Sequence, residues 1–181
     1  MFVSLGEIID FVLMSLIVGY IFSGFFTARN SKNVLDIKAI LFAAGITAPA
    51  IVLHELSHKF AAISFGLSAT FHAAYPWLAV GIILKAISPG FIFFVPAYVL
   101  IQGMSTPLTQ TIVSVAGPLT NLALFLIAWA VLSLDIVRNK MAVFFIRLTK
   151  RINGFLFIFN MIPIPGFDGF QFFSGLYHLK F

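Results

Sequence analysis

The chain has 181 residues, 61% apolar and 9% charged, with a mean hydropathy of +1.07. These proportions exclude intrinsic disorder and an ordinary water-soluble domain, and the 23 phenylalanines supply bulky surface that lipid covers better than water. A net charge of +5, carried by short basic clusters between apolar runs, argues against nucleic acid as a partner and for contact with anionic head groups; zero cysteines remove disulfides and thiolate metal sites.

At about 20 residues per crossing of roughly 30 Å of hydrocarbon, the length admits a single domain, 1–181, of about four to six spans. The first apolar run, 8–26, has Glu7 and Asp10 at its head and Arg29 and Lys32 beyond it. It lacks the basic n-region of a secretory signal and is too long for an h-region, so it is predicted to be a retained span. The second run, 39–65, contains His54, Glu55, His58 and Lys59. Between 66 and 107, glycines and prolines punctuate short β-branched and aromatic runs, which predicts a strand-like or re-entrant membrane-associated segment. Such backbone survives at membrane depth only under protein or beside a water-filled cavity. Within it, Phe91 to Gln102 is the strand candidate, and 75–95, carrying Lys85, reads either as a re-entrant hairpin or as a full span.

A third clear span is predicted over 111–134, and the last run, 152–180, is interrupted by Pro163-Ile164-Pro165-Gly166. Between them Lys140, Arg147 and Arg151 fall on one helical face, as expected of an interfacial helix. The predicted fold class is an all-α polytopic membrane protein, a helical bundle with one strand-like or re-entrant segment, and the expected location is the cell membrane. The basic residues of 28–38 and 138–151 would put both segments in the cytoplasm and the N-terminus outside.

The chemistry enters at His54-Glu55-Leu56-Ser57-His58. Residues four apart on a helix lie one turn above each other, so both imidazoles can reach one metal while Glu55 reaches water bound there. This is the H-E-x-x-H pattern of zinc hydrolases. A charged residue near the centre of a span costs roughly 2.5–3.5 kcal/mol on an insertion scale, so Glu55 and Lys59 need compensation, which a divalent cation supplies for the carboxylate. The competing reading is a polar helix face lining a proton or ion pathway, with no reason to adopt this spacing.

A catalytic zinc needs a third protein ligand and an open position. Glu7, Asp10, Asp36 and Asp135 lie at run ends, where water is expected, which leaves Asp168 as the acid inside another apolar run. Against this, Asp168-Gly169 is also a common turn pair. His54 lies 15 residues after Ala39 and Asp168 lies 16 after Ile152, so the two reach similar depth if both runs start at one face. His72 and His178 lack partners at ligand spacing, and Lys59 and Lys85 are expected to snorkel or face a cavity.

Three separated elements resemble the site-2 protease family of intramembrane zinc metalloproteases. His54-Glu55-Leu56-Ser57-His58 matches its zinc motif, and Asn160-Met161-Ile162-Pro163-Ile164-Pro165-Gly166-Phe167-Asp168-Gly169 matches its N-x-x-P-x-P-x-x-D-G element at every fixed position. Gly117-Pro118-Leu119-Thr120-Asn121 looks like the Gly-Pro-x-x-Asn segment between them. The resemblance implies one zinc ion held by His54, His58 and Asp168, Glu55 as general base and later proton donor, and Asn121 as a polar group near the reacting carbonyl. On the residues alone, Asn121 reads equally as an interhelical hydrogen-bonding group. The implied substrate is a transmembrane helix of another protein, which must unwind locally before cleavage; on its β-propensity, Phe91–Gln102 is the candidate template for holding it as an added strand. The family also suggests catalysis nearer the cytosol, opposite to the charge rule. The alternative function is a membrane metal-ion or proton transporter using the same His/Asp cluster, and a third is an inactive scaffold, which the intact Glu55 argues against.

Overall fold

A computed structural model describes residues 3–26, 36–87, 95–103 and 106–180. In chain order these form α1 (Leu5–Ser23), α2 (Ile37–Ser64), β1 (Ser68–Ala73), α3 (Tyr75–Ile87), β2 (Ala97–Gln102), α4 (Pro107–Ser133), α5 (Lys140–Asn160) and α6 (Asp168–Lys180). The architecture is that of an all-α polytopic membrane protein with one small two-stranded sheet. Among the described residues, α1, α2 and α4 are long and apolar enough to cross a membrane, fewer than the expected four to six. The shortfall has two causes.

First, the stretch after Tyr75 is a helix of 13 residues, about 20 Å long, which falls short of the roughly 30 Å of hydrocarbon. Second, the run 152–180 is not one helix. Its first residues continue α5, which carries the exposed Lys140, Arg147 and Arg151, and the chain then breaks through Met161–Phe167 before α6 starts at Asp168. Pro163 and Pro165 cannot donate to a helical ladder, and Gly166 sits at φ +99°, so the backbone must turn there. The interruption read from Pro163-Ile164-Pro165-Gly166 is thus where α5 and α6 separate, and Asp168 is the first residue of α6.

The described chain forms two compact units. The first comprises Met1–Val52 and Thr70–Tyr98. In it α1 opens with a capping box in which the Ser4 side chain accepts from the Glu7 amide and the Glu7 carboxylate accepts from the Ser4 amide. The same carboxylate accepts the main-chain N–H of Phe71 at 2.8 Å. One turn on, Asp10 accepts the N–H of Ala73 at 3.1 Å and the hydroxyl of Tyr75 at 2.6 Å. Side chains three apart on a helix face thus meet alternate amides of an extended strand, as a neighbouring strand would. Glu7, expected near water, is 5% exposed, because its charge is spent on buried amides.

Elsewhere in this unit Phe11 stacks on Phe71 at 4.1 Å, and α3 packs on α1. The ammonium of Lys85 lies over the Tyr20 ring, donates to the Tyr20 carbonyl and donates to Ser23 Oγ at 2.8 Å. Lys85 is therefore satisfied by the last turns of α1 rather than by snorkelling.

The second unit comprises Leu53–Ala69 and Val99–Phe181. Here α4 is the central element and packs against both α5 and α6. It starts cleanly: Thr106 caps it by accepting from the Thr109 amide, and Pro107 occupies the first turn, where a missing N–H costs nothing. The expected strand is present as β2 over Ala97–Gln102, while Phe91–Phe94 lie outside the described residues. Lys59 of α2 is buried and engaged rather than snorkelling.

The double use of the Glu7 carboxylate makes a prediction. Glu7→Ala leaves the buried Phe71 amide without its acceptor and is expected to lower unfolding stability by about 2 kcal/mol or more. Thermal unfolding of the detergent-solubilised protein, compared with Glu7→Gln, checks this; the amide oxygen of Gln should recover part of the loss.

Candidate metal centre

All the residues of the centre belong to the second unit. His54, Glu55 and His58 come from the later turns of α2, Asn121 from α4, Asn153 from α5 and Asp168 from the first turn of α6. The helical spacing of four brings His54 and His58 together, their rings meeting edge to face with centroids 4.7 Å apart. Their Nε2 atoms are 3.0 Å apart, and Asp168 Oδ2 lies 3.0 Å from the first and 3.3 Å from the second.

Asp168 reaches them because of the break that precedes it. The turn folds Met161 so tightly onto Gly169 that a Cβ there would fall inside 3 Å of the Met161 backbone, so a side chain at this position cannot be accommodated. Asp168-Gly169 thus closes the turn and also sets the Asp168 carboxylate beside both imidazoles, so the turn reading does not exclude a ligand.

The other side of each ring decides what the triangle can do. His58 Nδ1 donates to the Val113 main-chain carbonyl at 2.7 Å, and His54 Nδ1 donates to Asn121 Oδ1 at 2.6 Å. With each hydrogen on Nδ1, both Nε2 atoms present lone pairs to each other and to a carboxylate oxygen. Three acceptors at 3.0–3.3 Å repel unless a cation lies between them. A tetrahedral zinc bonded at about 2.0–2.1 Å sets its ligand atoms about 3.3 Å apart, so the donor set fits zinc in identity, number and spacing.

A second observation agrees. A Cβ on Gly117 would lie 2.6 Å from His54 Nε2 and closer still to His58 Nε2, so no side chain fits at this position against the two rings. The glycine at this point of α4 keeps that space clear. Access is uneven: the side chains of His54 and His58 are 7% and 8% exposed and that of Asp168 is 26%, so the open side of the triangle is the carboxylate side.

Glu55 follows His54 on α2, half-buried, with its carboxylate within electrostatic range of His54, His58 and Asp168. Asn121, expected near the reacting carbonyl, is fully buried with its oxygen on His54 Nδ1 and its amide nitrogen donating to Asn153 Oδ1 at 2.8 Å. Asn153 was not singled out in the sequence. The available signal was a lone carboxamide among Ile152, Phe155 and Leu156, on a helix whose polar face lay elsewhere. His72 and His178 stay outside the centre: His72 lies 3.9 Å from Asp10 and tilts over Tyr98, and His178 contacts Tyr177. Among the described residues, His54, His58 and Asp168 form the group of His and acidic side chains close enough to share an ion.

Over 167 residues the chain is 35% identical to "Putative zinc metalloprotease MJ0611" of Methanocaldococcus jannaschii, an alignment covering 92% of this chain and 82% of that protein. The chain belongs to the site-2 protease family of zinc metalloproteases. No family model and no solved structure matches it. Membership of the site-2 protease family agrees with the site built above from three acceptors, a carboxylate beside them and a glycine that leaves room.

That room is testable. Gly117→Ala is expected to reduce zinc affinity by at least about tenfold, because the added methyl would overlap both imidazoles and push them out of position. Metal analysis after dialysis, run beside His54→Ala and Asp168→Ala, checks it; full zinc retention by Gly117→Ala would contradict the placement.

Proposed function

We propose that this protein is a zinc-dependent endopeptidase that cleaves transmembrane segments of other proteins within the bilayer, using one zinc ion per chain held by His54, His58 and Asp168. The domain is the whole of 1–181, multi-pass in the cell membrane. The observation that carries the reading is that α2, at 28 residues and about 42 Å, is both a helix able to cross a membrane and the bearer of His54, Glu55 and His58. A hydrolytic constellation on such a helix has its substrate at membrane depth.

Zinc, when bound, supplies Lewis acidity toward the scissile carbonyl and acidifies water. Glu55 then acts at both ends of the reaction. Its carboxylate accepts a proton from water as the water oxygen bonds the carbonyl carbon, and it returns that proton to the amide nitrogen as the C–N bond breaks, leaving a new carboxylate and a new amine. The exposed side of Asp168 is where the peptide and water enter. Asn121 holds the His54 ring; a role at the oxyanion would require its amide nitrogen to release Asn153.

The peptide bonds of a helical substrate are closed to attack, so the substrate must be extended, and an extended chain needs backbone partners in lipid. One edge of β1 is occupied by Glu7 and Asp10, and β1 pairs with β2 on the other. Strand addition therefore falls to the outer edge of β2. The Ala74 amide donates to the Pro96 carbonyl, so by alternation the even-numbered positions of β2 face β1 and the main chains of Val99 and Ile101 face outward.

Glu55→Gln is expected to lower cleavage of a model transmembrane substrate by about 10²-fold or more while zinc stays bound. In-membrane cleavage assays paired with metal analysis check this; undiminished cleavage would sink the assignment, and a transporter would instead lose metal flux. Val99→Pro removes one outward N–H, and its expected effect is slower cleavage at unchanged zinc content, measured against the same substrate.

A further inference from the structure

The two imidazoles are held by partners of different kinds. Val113 offers His58 a main-chain carbonyl, which can only accept, so the hydrogen on His58 Nδ1 is dictated. Asn121 offers His54 a carboxamide, which can present either its oxygen or its NH₂ after a half-turn of the side chain. Were the NH₂ to face His54, Nδ1 would become the acceptor, the hydrogen would move to Nε2, and the ring would cease to be a ligand at that nitrogen.

The orientation of Asn121 is settled further out. Its Nδ2 meets Asn153 at 2.8 Å, and Asn153 meets the Thr149 main-chain carbonyl, one turn earlier on α5, at 2.9 Å. That carbonyl only accepts, so Asn153 must turn its NH₂ toward it and its oxygen toward Asn121. Asn121 must then give its NH₂ to Asn153 and its oxygen to His54. Reversing Asn153 alone sets two carbonyl oxygens and two NH₂ groups face to face; reversing both amides still leaves oxygen against oxygen at Thr149. Asn121 and Asn153 are 0% and 1% exposed, so water does not repair the mismatch.

We propose that Asn153 is a positioning residue: acting through Asn121, and with the Thr149 carbonyl as its fixed reference, it keeps the hydrogen of His54 on Nδ1 and so keeps Nε2 available to the metal. The proposal rests on the metalloprotease reading for its purpose, while the tautomer it specifies can be measured without any cleavage. Loss of an outer partner of this kind lowers metal affinity by about 10- to 100-fold.

The test uses the full chain in detergent, with ¹⁵N-labelled histidine, made metal-free and then titrated with zinc or cobalt(II). His54 signals are assigned by their loss in His54→Ala. In the metal-free wild type His54 is expected to keep its Nδ1–H, whether or not a proton also lies between Nε2 and Asp168 Oδ2, 3.0 Å away. Asn153→Leu, of similar size but without polarity, should let Nδ1 lose its hydrogen and weaken cobalt and zinc binding by about 10- to 100-fold. Asn153→Asp should restore Nδ1–H, because a buried, protonated carboxyl can donate to the Thr149 carbonyl and turn its other oxygen to the Asn121 NH₂.

A merely structural role gives the opposite order, since a buried Asp should harm the fold more than a buried Leu. Thermal midpoints of the metal-free variants provide that comparison. Should Asn153→Leu fail to fold, the wild type still decides: a His54 without Nδ1–H overturns the proposal, as does a folded Asn153→Leu with Nδ1–H and unchanged affinity. A wild type with Nδ1–H and tight zinc but no proteolysis would fail the functional reading and leave the relay standing.

Discussion

Two imidazole nitrogens and one carboxylate oxygen are packed within 3.3 Å of one another. With the outer nitrogen of each ring carrying its hydrogen, a shared cation is what makes that arrangement favourable. The surrounding structure serves this constraint. The turn ahead of α6 delivers the carboxylate, Gly117 leaves the space, and the outer nitrogens of both rings are tied to acceptors so that the inner ones stay bare.

The same economy governs the first unit, where the problem is main chain rather than metal. Extended backbone in an apolar setting needs a partner for every amide, and β1 obtains its outer partners from the carboxylates of Glu7 and Asp10 instead of a third strand. In a chain with 6 acidic residues, at least four have defined places: two at β1, one in the candidate metal site and one beside it. Charge in this protein is scarce and placed where desolvation is offset by several hydrogen bonds or a cation.

How much was legible beforehand follows from how local each interaction is. His54 and His58 were readable because a helix repeats every 3.6 residues, so their spacing along the chain is also their spacing in space. Asp168 was readable by elimination and by resemblance, and the prolines at 163 and 165 announced a break, but not that Asp168 itself opens the helix beyond the turn at Gly166. Glu7 and Asp10 looked like ordinary acids at the end of an apolar run, since nothing near them in the chain announces amides 63 and 64 residues away. Asn153 was passed over for the same reason, its partner Asn121 lying 32 residues earlier on another helix.

The sequence alone therefore determined the apolar class, the helical His-Glu-x-x-His motif and the break in the last run, because composition, short-range periodicity and prolines act without a fold. The tertiary structure decided the rest: which carboxylate joins the two imidazoles in the candidate metal site, which meet main chain, and which nitrogen of each imidazole faces a main-chain or amide oxygen. Those outcomes depend on which groups α4, α5 and α6 bring within hydrogen-bond distance, a property of packing between segments that no single stretch of the chain contains.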